Sequence, residues 1–327
     1  MSRYILRRVI WGIVTICLII CVNFAIVKLV PGDPVVALIG EYPAPPAYIE
    51  QVRRDYGLDQ PILVQFQHYV LAMAQGDFGF SFVNRKAVLP LILERAQYTL
   101  LLILPAIAIA FVLGVSLAML TAARGSGWLH NLVSALVMFG YSMPAFWLGQ
   151  VLVLVFAVNL SWLPAAGMRS LRVEQSGWPG IWDVFIHMLM PLACIVAFKL
   201  ATILRVARAC IVGVLNDDFV VTARAKGASG ARVLWRHVLP NAIVPIIVVL
   251  GYNLGHALTS SILVETVFAW PGIGTLFVRS IASRDYPVLQ GILVLSTVLV
   301  VAGNLVADIL AALADPRVRR NLGSRHA

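Results

Sequence analysis

A chain of 327 residues that is 60% hydrophobic and only 12% charged, with a mean hydropathy of +0.89, cannot hide its apolar side chains inside a water-soluble fold. These values point to an integral membrane protein. The net charge of +10 is not a nucleic-acid footprint, because the cations gather at the ends of apolar runs instead of forming a stripe of their own.

The first apolar run, residues 9–30, follows Arg3, Arg7 and Arg8. It is too long for the roughly 7–15 apolar residues of a secretory signal core and lacks a small-x-small cleavage site, so it reads as a first span. A long connection, residues 31–98, then carries turn and capping signals ("PGDP", "YPAPP", "GLDQP", "GDFGFS") and predicts an ordered external segment with helices around 47–56 and 62–74. The second span is expected over 99–122 and the third over 132–158, each long enough to cross roughly 30 Å of hydrocarbon as a helix. Within the third, "GYSMPAFW" places Pro144 where it frees a backbone carbonyl, so that Gly140, Tyr141 and Ser142 are candidates to line a translocation path.

The next connection carries several tryptophans, as an interfacial belt would, and leads to a fourth span over 184–204 in which Lys199 is expected to snorkel. The basic loop 205–240 follows. Asp217 or Asp218 can cap a short helix there, Lys226 suits its last turn, and Gly227 is placed as a left-handed stop. Ser229 can cap a second helix that Pro240 is expected to limit. The fifth span, 241–264, puts Asn253, His256 and Ser260 on one helical face, and Glu265 of "VETVFAWPGIG" reads as a solvated or capping residue at its outer end. The sixth span, 288–313, has Asn304 and Asp308 four residues apart, with Asp308 expected to meet an arginine near the inner interface. Residues 314–327 form a basic tail.

Uninterrupted apolar runs exclude an outer-membrane barrel, whose strands alternate with period two. The arginines and lysines concentrate before span one, in loop 205–240 and after span six. With six spans these segments share one side, which puts both termini in the cytoplasm and makes the protein a multi-pass membrane component. Cys17, Cys21, Cys194 and Cys210 lie in or beside spans and read as small buried apolar residues, not as a disulfide framework.

No phosphate-binding G-x-x-x-x-G-K-[ST] loop, no H-E-x-x-H and no G-x-S-x-G elbow occurs, and the six histidines lack metal-ligand spacing. The expectation is a chain with no catalytic residues, metal or cofactor of its own. Two other readings remain open on residues alone: an ion-coupled secondary transporter using Asp308, Glu265 and His256, and an intramembrane hydrolase.

The loop "TARAKGASGARVLWRHVLPN" resembles the cytoplasmic signature of ABC-importer membrane subunits, EAA, three residues, Gly, nine residues, then I-x-L-P. Gly227 takes the glycine, Ala223 the second alanine and "HVLP" the last element, while Val221 and His237 depart from the pattern. "RRVIWG", "VPGDP", "YGLDQPILVQFQHYV", "GDFGFSF", "SMPAFWLG", "WLPAAG", "VETVFAWPGIG", "RDYPVLQG" and "ADPRVR" are similar, in order, to the first permease subunit of dipeptide and oligopeptide importers. The resemblance implies an all-α, six-span, type I importer fold with a cytoplasmic coupling helix. It implies a second homologous permease, two ATPase subunits that bind ATP and magnesium, and an extracytoplasmic solute-binding protein as partners. It also implies that Thr222, Ala223, Arg224, Ala225, Lys226, Gly227 and Pro240 couple to the ATPase, with Ala223 and Ala225 packing on it and few large apolar residues exposed nearby. Peptides, nickel chelates and glutathione are all cargo classes of that family.

Overall fold

The computed structural model describes residues 2–29, 45–55, 57, 59–81, 83–123, 127–170, 177–257 and 261–314. Helix α1 (Ser2–Leu29) leads to α2 (Pro46–Asp55) and α3 (Ile62–Ala74) in the first connection. A two-stranded antiparallel ribbon, β1 (Phe80–Ser81) with β2 (Lys86–Ala87), pairs Phe80 with Ala87 and feeds directly into α4 (Val88–Ala123). Then come α5 (Trp128–Ser142) and α6 (Ala145–Leu152), the latter widening into a π-helical stretch, Val153–Asn159. Helix α7 (Gly177–Leu215) precedes the short α8 (Asp218–Ala225), and α9 (Gly230–Val233) passes through a π turn, Leu234–Val238, into α10 (Leu239–Gly255). The chain closes with α11 (Ile262–Val267), α12 (Ile273–Ala282) and α13 (Tyr286–Ala314).

Among the described residues, α1, α4, α7, the continuous helix Gly230–Gly255 and α13 are each long and apolar enough to cross a bilayer. The expected third span is a broken one. Met143 is held extended (φ −80°, ψ 137°), the backbone that a following proline favours, and α5 and α6 meet there at 101°. Pro105, Pro191 and Pro245 do not break their helices. Pro240 does not limit its helix either: it follows the π turn, and the helix runs through it to Gly255.

Three buried layers order the bundle. At one end the last turns of α4 and α7 (Ala118, Met119, Ala207, Ile211) enclose Val220 and Ala223 of α8 and Val233 and Val238 of the following helix. In the middle Leu102, Ile103 and Ala106 of α4 meet Met190, Cys194 and Ile195 of α7, together with Phe268 and Trp270. At the opposite end the start of α4 (Val88, Leu91, Ile92) packs on Ile273 and Leu276 of α12 and Val288 of α13. Helices α4 and α7 therefore run parallel, and loop 216–229 and the α11–α12 region lie at opposite ends of the molecule.

Small residues bring helices into close contact where lipid supplies no hydrophobic drive for association. An added Cβ at Gly251 would collide with Ala307, one at Gly303 with the backbone of Gly255, and one at Gly114 with Ile203. Arg8 of α1 meets Asp308 of α13 at 3.1 Å, so the expected partner of Asp308 is an arginine near the chain start. Much of the remaining apolar surface faces outward, as lipid-facing helices require: α1 exposes Leu6, Ile10, Trp11, Ile13, Val14 and Leu18. Cys17 and Cys21 lie on this exposed surface, contrary to the expectation that all four cysteines are buried, whereas Cys194 is buried. Trp162, Trp178 and Trp182 are exposed around the third connection.

Candidate functional site

Two sites stand out, one at each end of the bundle. At the first, α8 begins after Asp217, whose carbonyl accepts from the N–H groups of Val220 and Val221, although neither Asp217 nor any other side chain caps the helix start. The stop is fully specified. Gly227 has φ +81°, its N–H donates to Arg224 O at 2.9 Å, and the N–H of Ala228 reaches back to Ala223 O at 3.1 Å. That pair of bonds is the Schellman motif, which needs a left-handed residue at Gly227. Ser229 then accepts from Arg232 N at the start of α9. A cation beside the last turn, Arg224 with Lys226 following, complements the exposed carbonyl end.

The faces of α8 differ from what the loop's composition suggests. Ala223 is 9% exposed and packs into the chain's own core with Val220, so it is not available to an outside partner; of the two alanines only Ala225 lies on the open side. Thr222, Arg224, Lys226 and Gly227 are also exposed there, as is Pro240. Three large apolar side chains share that end, Phe219, Val221 and Trp235 at 42%, 59% and 65% exposure. This corrects the expectation of a surface nearly free of them. Val221, the residue at the signature's glutamate position, gives the surface an apolar contact in place of a charged one.

The residues singled out as a translocation path separate into two groups. Tyr141, Ser142 and Pro144 meet at the α5–α6 break: the Tyr141 ring lies 5.8 Å from the guanidinium of Arg205 and 6.4 Å from the Phe198 ring, and Ser142 Oγ donates to Met138 O within its own helix. Asn253 is buried and donates to Val249 O, while the imidazole of His256 stacks on Tyr252 and contacts its carbonyl. Helix α10 ends at Gly255 with His256 as its C-cap, so the expected helical face does not continue; Ser260 lies outside the described residues.

The second site is one that the sequence reading missed. Glu265, expected to be solvated, is 0% exposed. Its carboxylate accepts from Ser261 Oγ at 2.6 Å, Thr99 Oγ1 at 2.8 Å and Gly274 N at 2.7 Å, with Thr275 N at 3.4 Å. Burial pushes this carboxyl above the usual range, and the four donors pull it the other way. Around it, Thr99 Oγ1 accepts from Ile273 N, Thr275 Oγ1 donates to Trp270 O, and the buried Trp270 indole donates to Tyr98 O. Gly272 and Gly274 permit the approach, since a Cβ on either would strike the Glu265 carboxylate. Beside this knot Asp285, also buried, accepts from Ser81 Oγ at 2.5 Å and tethers the β1–β2 ribbon to the start of α13. The only hint in the sequence was two glycines within ten residues of a carboxylate.

A basic loop built as helix, glycine stop and helix, set between spans and beside the ends of α4 and α7, agrees with what family comparison finds. Residues 110–320 match the model of the binding-protein-dependent transport system inner membrane component, and residues 1–103 match the N-terminal model of the same systems' membrane components. The chain belongs to this family of ABC-importer membrane components. It is 38% identical, over 97% of its length and 99% of the relative's, to the oligopeptide transport system permease protein AppB of Bacillus subtilis. It is 35% identical to the di/tripeptide permease DppB of Pseudomonas aeruginosa and 37% identical to the glutathione permease GsiC of Escherichia coli, each over 98% of this permease and 99% of the relative. In fold it is similar to a chain of the inward-facing MetNI methionine ABC transporter, with a TM-score of 0.56 at 17% identity, over 69% of this permease and 96% of that chain. The secondary-transporter and hydrolase readings lose their footing accordingly: Asp308 is ion-paired, Glu265 is locked in the knot, and the family is one of permeases.

Proposed function

We propose that this permease forms, with a second homologous permease, the pathway of an ATP-driven importer for dipeptides or oligopeptides. In this reading two ATPase subunits bind ATP and magnesium, and a solute-binding protein delivers cargo from outside. One observation supports the coupling role above the rest: α8 is a separate rigid piece, stopped by Gly227, rooted in the core by Val220 and Ala223, and open on its other side. A lever needs that combination. The rooted face transmits displacement to α4, α7 and the helix Gly230–Gly255, while Phe219, Val221, Trp235, Arg224 and Lys226 form an apolar and cationic docking face. Only contacts that differ between two states can shift a conformational balance, so ATP-driven closure of the ATPase pair acts through this face.

The coupling end is cytoplasmic in this proposal, because Arg3, Arg7, Arg8 and the cations of the 205–240 loop collect there. The Glu265 knot then lies at the extracytoplasmic end, and the membrane is the bacterial inner one. Hydrolysis resides in the partner subunits, and the chain itself turns over no substrate. Peptide cargo is supported by relatives 35–38% identical over nearly the whole chain whose names specify oligopeptide or di/tripeptide transport.

The test is uptake of labelled di-, tri- and pentapeptides, with glutathione as competitor, by cells carrying the complete transporter. Gly227→Asp is expected to abolish uptake while membrane insertion and co-purification of the second permease persist. Normal uptake by that variant, or uptake that persists without ATP, refutes the coupling role.

A further inference from the structure

At the end opposite the coupling loop, a cavity of about 190 Å³ opens between α12, the segment after α11 and the loop that closes the β1–β2 ribbon. Its polar wall comes from Asn84, Arg95, Thr275, Arg279, Ser280 and Ser283. Two arginines therefore line one small space. Among the described residues neither Arg95 nor Arg279 is ion-paired: Arg95 donates one Nη1 bond to Pro271 O at 3.3 Å, and its Nε is buried with no acceptor. Ser280 is 1% exposed and its hydroxyl is likewise without a partner.

Buried donors without acceptors are costly, at about 1–3 kcal/mol each, and two of them belong to residues that line this one cationic cavity, where an acceptor entering from outside would relieve them. Among the described residues, the chain's own carboxylates near the cavity do not supply it. Glu265, behind Gly272 and Thr275, is engaged by Thr99, Ser261 and Gly274; Asp285, beside Asn84, is engaged by Ser81 and Asn84; and Glu94 is paired with Lys86. The other hydroxyls on the wall are occupied too, Thr275 on Trp270 O and Ser283 on Arg279 O.

We infer that this cavity binds a carboxylate group presented from the extracytoplasmic side, held by Arg95, Arg279 and the Ser280 hydroxyl. Planar guanidinium forks suit a carboxylate, and the rigid knot behind Gly272 fixes the cavity's back wall before the ligand arrives. Two molecules in the proposed transport cycle carry such a group to this end: the C-terminus of a peptide cargo and an acidic side chain on the docking face of the solute-binding protein. The side assignment rests on the importer reading, but the cavity's chemistry does not.

The test uses a reporter cysteine at the mouth, S283C, with V83C on the facing loop as a second reporter. The native Cys17, Cys21, Cys194 and Cys210 are replaced by alanine. In the complete transporter in nanodiscs, a negatively charged methanethiosulfonate is expected to react about tenfold faster than a positively charged one, as a focused cationic cleft requires. Replacing Arg95 and Arg279 together by Gln brings the two rates level, and acetate slows the anionic reagent more than chloride at equal ionic strength. Equal rates with both arginines present overturn the inference, as does selectivity that appears only after lipid is removed, because a headgroup phosphate then holds the site. Protection by trialanine but not by its C-terminal amide assigns the carboxylate to cargo, and protection by cargo-free binding protein assigns it to docking. Protection by neither overturns the proposal. ATP-driven uptake by the same complexes is read separately, so charge selectivity without uptake counts against the importer reading alone.

Discussion

Replacing Gly272 by alanine tests whether the Glu265 knot is as tightly determined as its geometry indicates. The backbone there is extended (φ −88°, ψ −170°), a conformation open to any residue, so no backbone strain enters. The cost is steric: the new methyl would sit 2.5 Å from Glu265 Cδ and closer still to Oε2 and Thr99 Oγ1. Relief requires the carboxylate to retreat from Gly274 N and Thr275 N, at 2.7 and 3.4 Å, leaving two buried N–H groups without acceptors. With hydrogen bonds to a charged group at about 1.5–3 kcal/mol and the second bond weak, the loss is about 3–5 kcal/mol. Reversible unfolding in mixed detergent micelles measures it, for Gly272→Ala, Glu265→Ala and the double variant. Removing the carboxylate leaves only Thr99 Oγ1 against the methyl, so the double variant is expected to cost less than the sum of the two single ones. Single costs that add to within about 0.5 kcal/mol, or a Gly272→Ala cost under about 1 kcal/mol, would falsify the argument.

At Gly227 an added Cβ meets nothing within 4 Å, so only its left-handed backbone matters. Gly227→Asn is expected to retain more uptake than Gly227→Val, at equal amounts of chain in the membrane; equal uptake by the two contradicts a requirement for φ +81°. Burial raises the Asp285 carboxyl above its ordinary value of 3.8, against the hydrogen bonds from Ser81 and Asn84 that pull it down. The folded protein then holds a proton that the unfolded chain has released, so this stabilising contribution is complete below pH 3.8 and fades as pH rises through the folded value. Asp285→Asn is expected to flatten that part of the stability profile, and an unchanged profile in the same unfolding assay would exclude Asp285 as its source. The Arg8–Asp308 pair, with side chains 51% and 20% exposed, is worth at most about 1 kcal/mol. Asp308→Asn should leave ATP-driven uptake intact and insensitive to a protonophore; abolished uptake would restore an ion-coupling role.

Much of the coupling end was legible because its signals are local. Gly227 and Ser229 act within one turn of themselves, and the structure places the left-handed stop and the helix start on those residues. Which side of α8 faces outward was not legible, since Ala223 and Ala225 differ only in what α4, α7 and the following helix bring against them. Prolines show the same limit: Pro144 ends a helix, whereas Pro105, Pro191, Pro240 and Pro245 do not, and the residues around them do not announce which will.

The sequence by itself determined that the chain crosses a membrane, roughly where it crosses, and on which end its cations gather. Lipid imposes those features residue by residue through apolar length and charge, without reference to tertiary contacts. Only the tertiary structure decided the fate of Glu265 and Arg95. Thr99 lies 166 positions from Glu265, and Pro271 lies 176 from Arg95, so a carboxylate expected at a wet helix end becomes the centre of a buried knot. Burial and partnership of a polar group depend on which distant donors the fold delivers to it, and that is fixed only when α4 and α12 pack together.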